Sequence, residues 1–225
     1  DYEGIDLPDW QRKEVETARD KIVMGLEREN VALTEEECRL IAYHESGHAV
    51  VAASVPHADP VHKVTIVPRG RAMGHTHQLP EEDRYIVSRE YITDRLAVMM
   101  GGRASEHLVL NTTTSGAEND LKEATRLARK MVLDWGMSPR LGQVALGGGR
   151  EHVFLGEEIA QRREYSESTA REVDEEIKKI LADAYKRARS ILEKNREGLD
   201  RIASTLMEKE EITGEEVAGL LGGEK

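Results

Sequence analysis

Residues 42–49 read Ala42-Tyr43-His44-Glu45-Ser46-Gly47-His48-Ala49, and this stretch decides both the fold and the chemistry to look for. Upstream, Thr34 followed by Glu35, Glu36 and Glu37 has the form of a helix N-cap with an acidic first turn. Leu40, Ile41, His44, His48, Val51 and Ala52 recur at three- and four-residue intervals, so they share one face of a helix. That helix is expected to run to about Ser54, with Pro56 and Pro60 ending it. Residues four apart on a helix lie one turn apart on the same side, so His44 and His48 can aim both imidazoles at one ion. Glu45 lies beside the first ligand, where it can take a proton from a water on the ion and pass it to a leaving amine. Zinc suits this work, because it lowers the pKa of a bound water toward about 7 and polarises a carbonyl. Gly47 costs about 1 kcal/mol of helix propensity relative to Ala. A helix that accepts it there is expected to have something packed close to its backbone.

A catalytic zinc needs a third protein ligand, and the familiar extensions of the motif fail. A metzincin-like completion requires Gly at 51 and His at 54, where this chain has Val51 and Ser54. A thermolysin-like completion requires a Glu on a nearby downstream helix. The next stretch reads instead as strand and turn, and its first acids are Glu81 and Glu82. Glu106, His107, Glu118 and Asp120 remain as candidates, with His75 and His77 as decoys, and spacing does not choose among them.

The rest of the chain predicts a mainly α fold, a helical domain with one small β-sheet near the site. A short helix is expected over about Glu14 to Leu26. Val61-His62-Lys63-Val64-Thr65-Ile66-Val67-Pro68 is rich in β-branched residues and reads as a strand, followed by a turn at Arg69–Ala72 and a returning strand over Met73 to Leu79. Helical patterning resumes at Ser88 and leads to Gly101-Gly102. Asn111 to Ser115 is a polar loop, a helix follows from about Gly116 to Trp135, and residues 136–165 are glycine-rich and loop-like. A long helix after Ser166 carries the stripe Ala170, Val173, Ile177, Ile180, Leu181, Ala184, Ala188, Ile191 and Leu192, and a last helix pair ends near Leu221.

Composition narrows the function classes. With 32 basic against 43 acidic residues, a net charge of −11, nucleic acid is a disfavoured partner. The single cysteine, Cys38, builds neither an internal disulfide nor a thiolate zinc site, which suits a reducing compartment. No apolar run approaches the roughly 18 residues of a membrane helix, and no signal peptide opens the chain. Residue 1 is not Met, as expected for a fragment.

Several ordered motifs resemble the peptidase domain of the FtsH family, the membrane-anchored ATP-dependent AAA proteases. They are residues 42–49, Val64-Thr65-Ile66-Val67-Pro68-Arg69-Gly70, Leu79-Pro80-Glu81-Glu82-Asp83, Gly101-Gly102-Arg103-Ala104, Thr114-Ser115-Gly116-Ala117-Glu118-Asn119-Asp120-Leu121 and Gly136-Met137-Ser138. Ala18-Arg19-Asp20-Lys21-Ile22-Val23-Met24-Gly25 resembles that family's link from ATPase to peptidase. The resemblance implies a zinc endopeptidase with Glu45 as general base, His44, His48 and Asp120 as ligands, and Glu106 as a supporting acid. It implies residues 1–30 as a linker and first helix after an ATPase domain, and residues 31–222 as the peptidase domain. It further implies unfolded protein substrates, a homo-hexamer, and ATP bound only on that N-terminal ATPase domain, since no Gly-x-x-x-x-Gly-Lys-Ser/Thr loop occurs here. The full-length protein is then expected in a bacterial or organellar inner membrane, with this domain on the cytoplasmic side and soluble as a fragment. In the family a strand near the site pairs with extended substrate, which makes Val64–Val67 a candidate. Two positions depart from the family pattern: Ser46 stands where Ala is usual, and His107 where a second acid is usual.

Overall fold

The structure, a computed structural model, describes residues 8–23, 25–28, 33–70, 72–80, 84–147 and 165–222. Among these it has seven α-helices and one small antiparallel sheet. The central helix α2 (Glu35–Ser54) begins at a complete capping box. The Thr34 hydroxyl accepts from the Glu37 amide at 3.2 Å, and the Glu37 carboxylate accepts from the Thr34 amide at 2.8 Å. From Ala42 to Ala52 nearly every residue of α2 is buried, on all sides, so this half of the helix is the axis of the core.

Three neighbours wrap it: α3 (Arg89–Ser105), α6 (Arg196–Lys209) and a sheet of β1 (Val61–Thr65), β2 (His75–Gln78) and β3 (Glu211–Thr213). The long α5 (Glu167–Lys194) crosses behind α3, and α4 (Glu118–Leu133) lies against both. Leu96, Leu192, Leu199, Ile202, Leu206 and Ile212 fill the main core, each burial contributing roughly 2 kcal/mol. A second cluster of Ala128, Val132, Leu133, Val173 and Ile177 joins α4 to α5. Buried Asp94 on α3 ties the remaining pieces together. It accepts from the His57 amide at 2.9 Å and pairs with Arg187 of α5 at 2.6 Å.

The sheet order is β2-β1-β3, with Val64 of β1 opposite Thr76 of β2 and Ile212 of β3. The strand expected over Val61–Pro68 stops sooner. The Thr65 hydroxyl accepts from the Val67 amide at 3.1 Å and donates to the Glu210 carbonyl at 3.2 Å, which bends the chain before Pro68. Strand β3 has only three residues and was not anticipated; it precedes α7 (Gly214–Leu220). The N-terminal helix α1 covers Asp9–Val23 rather than Glu14–Leu26, and Gly25 follows it at φ +88°. Helix α3 does not end at the glycine pair. It continues to Ser105 and then widens into a π-helical turn over Glu106–Leu110, closed by Asn111 at φ 49°. Glu81 and Glu82 lie outside the described residues. Among the described residues no helix is long and apolar enough to cross a membrane.

Candidate metal centre

The site starts with a close helix crossing. A Cβ on Gly47 would stand 2.4 Å from the Gly101 carbonyl oxygen, and one on Gly101 would stand 2.6 Å from the Gly47 oxygen. Glycine at both positions lets α2 and α3 touch backbone to backbone, which is the close approach that Gly47 signals in the sequence. Next to this contact the His44 ring lies against Gly102, where a Cβ would be 2.5 Å from ring atoms. The second glycine of the pair to which the helical pattern leads is therefore the bed of the first histidine.

Each imidazole is held by its Nδ1. His44 Nδ1 is 2.7 Å from Glu106 Oε1, and His48 Nδ1 is 2.7 Å from the carbonyl of Val98. Carboxylates and carbonyls only accept, so both Nδ1 atoms carry protons, and in the neutral rings both Nε2 atoms present lone pairs. Those lone pairs point at each other across 3.1 Å and at Asp120 Oδ2, which is 3.2 Å from His44 Nε2 and 3.4 Å from His48 Nε2. Three electron-rich atoms converge, and something positive must stand among them. The donor set fits zinc: ligand atoms roughly 2.1 Å from a tetrahedral ion lie about 3.4 Å apart. His44, His48 and Asp120 are also the one His, Cys, Asp or Glu group of this tightness among the described residues.

Without a metal, protons fill the same role. Burial opposes the imidazolium form of His44, but the hydrogen bonds to Asp120 and Glu106 and the charge of Glu45 outweigh it and push the pKa up to about 10. His48 is also raised, burial again opposing and Asp120 prevailing. For Asp120 burial favours the neutral acid, yet the two histidines hold its carboxyl well below the usual range.

Glu106 sits on the π-helical turn, fully buried. Besides His44 it accepts from the Thr114 amide at 2.9 Å and from the Thr114 hydroxyl at 3.2 Å. Burial raises its pKa, but these donors bring it below the ordinary glutamate value. It touches the far nitrogen of a candidate ligand, so it orients His44 rather than facing the convergence point. The other candidates fall away from it. Glu118 is exposed and pairs with Lys122, and His107 turns to the Tyr185 hydroxyl at 2.8 Å. His75 borders the cleft, and His77 stands with it in β2. Ser46 is buried and donates to the Ala42 carbonyl at 2.6 Å, an accommodation within its own helix.

Glu45 leans the other way, toward β2. Its Oε2 accepts from the Thr76 hydroxyl at 2.7 Å, and a Cβ on Gly74 would collide with its Oε1 at 2.8 Å. A cleft of about 870 Å³ opens over Glu45, the two histidines and Asp120, walled by α2, α3, β2 and the start of α4. Strand β1 is not available to a substrate chain, contrary to the expectation for Val64–Val67, because Val64 is paired on both sides. Among the described residues, the edge strand of the sheet on the cleft side is β2. Sequence reasoning missed Thr76, Gly74, Gly102 and the Val98 carbonyl. A hydroxyl two residues beyond a glycine carries no signal of its own, and a main-chain carbonyl carries none at all.

The family model for peptidase family M41 matches residues 31–220. The chain is 56% identical over 214 residues to the ATP-dependent zinc metalloprotease FtsH 2 of Salinibacter ruber, an alignment covering 95% of this chain and 31% of that protein. It is 52% identical over 200 residues to the ATP-dependent zinc metalloprotease FtsH of Nitrosococcus oceani, covering 89% of this chain and 31% of that protein. For the Thermotoga maritima FtsH the identity is 47% over 213 residues, 94% of this chain and 35% of that protein. The chain thus spans about a third of the length of the curated relatives it matches.

Proposed function

The chain belongs to peptidase family M41, and from that premise we propose that it is the zinc-dependent endopeptidase part of an ATP-dependent protease. The observation that carries the reading is the convergence of two Nε2 lone pairs and the Asp120 carboxylate, with both Nδ1 protons committed elsewhere, beside a buried glutamate. His44, His48 and Asp120 would hold the zinc, and Glu106 fixes the His44 ring. When bound, the zinc supplies Lewis acidity to the scissile carbonyl and to the attacking water. Glu45 takes the proton from that water as it attacks and delivers it to the departing amine, so one carboxylate serves as base and then as acid. Substrate enters as an extended chain along β2, the edge strand on the cleft side among the described residues. Its main chain pairs there without a demand on side chains, which suits unfolded proteins of varied sequence.

Residues 31–222 form the peptidase unit in this reading, with residues 1–30 linking it to an ATPase domain that unfolds and threads substrate. The whole protein works as a membrane-anchored homo-hexamer with this unit on the cytoplasmic side. This chain by itself is then expected to cut short or unfolded polypeptides and to gain nothing from ATP. Glu45→Gln tests the chemistry. It should keep one zinc per chain by elemental analysis while cleavage of a quenched fluorescent peptide falls roughly 10²–10⁴-fold. Cleavage at the parent rate by zinc-loaded Glu45→Gln would remove the general base from this account.

A further inference from the structure

Resting on the reading of Glu45 as general base, we propose that Thr76 is a positioning residue that fixes the Glu45 carboxylate in its working orientation. The Thr76 hydroxyl has one proton and two acceptors within reach: Glu45 Oε2 at 2.7 Å and the Glu45 main-chain carbonyl at 3.1 Å. The carboxylate is the closer acceptor and carries the charge, so it receives the proton. Among the described residues Thr76 is the hydrogen-bond donor to that carboxylate. A glutamate side chain has three rotatable bonds, and Glu45 is buried; its direction is set here from two sides. Thr76 holds one oxygen, and Gly74 leaves room for the other, at a point where any Cβ would meet Oε1 and Cγ at 2.8 Å.

The sheet register makes this arrangement. Val64 is opposite Thr76 in the β1–β2 pair, and Val64 is buried against α2, so Thr76 projects from the same face toward the helix that carries Glu45. With Oε2 committed to Thr76, the second oxygen is the one left for the attacking water. A carboxylate turned by one rotamer would leave the water unpaired with its base, and a misplacement of about 1 Å costs on the order of 10²-fold in rate. The same short strand that borders the cleft thus holds the base with its side chain.

The test compares Thr76→Val, which is isosteric and lacks the donor, with Thr76→Ser, which keeps it, in the zinc-loaded 225-residue chain on a quenched fluorescent peptide. Thr76→Val should lower kcat roughly 10- to 100-fold, with KM, zinc content and thermal midpoint near those of the parent. Thr76→Ser should restore most of kcat. A crystal structure of metal-free Thr76→Val should show the Glu45 carboxylate turned away from its place against Gly74. A Thr76→Val kcat within threefold of the parent overturns the proposal, as does an unmoved carboxylate, or a fall that Thr76→Ser does not repair. Glu45→Gln run beside them separates the two levels. If Glu45→Gln is inactive and Thr76→Val is not, only the positioning role fails; if Glu45→Gln is active, the base assignment fails first.

Discussion

Replacing Gly102 with Ala sets two effects of opposite sign against each other, and the structure says which one prevails. Gly102 lies inside α3, where Ala is favoured over Gly by about 1 kcal/mol. Propensity alone therefore predicts a more stable chain. The added Cβ, however, would stand 2.5 Å from Cε1 and Nε2 of His44 and 2.7 Å from Nδ1. Carbon contacts relax at about 3.5–4.0 Å, so the ring must retreat by about 1 Å. It can do so because it is the end of a side chain and not backbone, but only by giving up its contact with buried Glu106. The cost falls on the metal as well. Ligand distances tolerate about 0.2 Å, and a ring that retreats also leaves Glu106, a loss that by itself reduces metal affinity about 10- to 100-fold. Gly102→Ala should therefore bind zinc at least about 100-fold more weakly, and its metal-free form should also lose stability, because buried Glu106 is left without its His44 partner. Competition with a chromophoric chelator measures the first quantity and calorimetry of the metal-free protein the second. Zinc affinity within threefold of the parent would refute the claim that Gly102 is the bed of His44.

Gly47→Ala should cost stability in a different way, because its Cβ meets the Gly101 carbonyl at 2.4 Å and backbone cannot step aside. A net loss of about 2 kcal/mol, after the propensity gain, lowers the midpoint by roughly 4–8 °C in calorimetry; an unchanged midpoint would contradict the backbone contact between α2 and α3. The pH response of the metal-free chain has a definite sign. His44 rises from 6.5 to about 10 on folding, so its contribution is complete below 6.5 and is lost as pH climbs through about 10. Asp120 is lowered from 3.8, so its contribution is present above 3.8 and is lost as pH falls through its folded value. The metal-free fold should therefore draw most from this cluster between about pH 4 and 6.5, readable as a maximum in denaturant midpoint. Zinc must displace the His44 proton below about pH 10, so apparent affinity should rise at least about tenfold per pH unit from 7 to 8.5; a flat profile in chelator competition would show that the ring is already neutral.

How much of this was legible in the sequence follows from the range over which each feature is encoded. His44, Glu45 and His48 are fixed relative to one another by a single helical turn, so their spacing alone states their geometry. Asp120 and Glu106 are both acids on later helices, and what distinguishes them is the exit of α3. Where an α-helix would continue, the chain widens into a π-helical turn at Glu106, which buries that carboxylate against the far side of His44. Asp120, at the first turn of α4, is left to face both Nε2 atoms. No pattern of residue types announces that widening, and for that reason spacing leaves four candidates, and Asp120 is distinguished only by the resemblance that Thr114 to Asp120 carries. The small sheet shows the same division. The β-branched run at Val61 gave β1, but its central position depends on a three-residue strand from the far end of the chain, Glu211–Thr213. With β3 in place, β1 is central, and β2 is both the edge strand on the cleft side among the described residues and the carrier of Thr76. His44, Glu45 and His48 of the candidate site are thus readable locally, whereas Asp120 is reached only through the family resemblance of its segment. The residues that aim them — Glu106, Gly102, Gly74 and Thr76 — act through contacts between segments 29 to 62 residues apart, and only the folded chain brings those together.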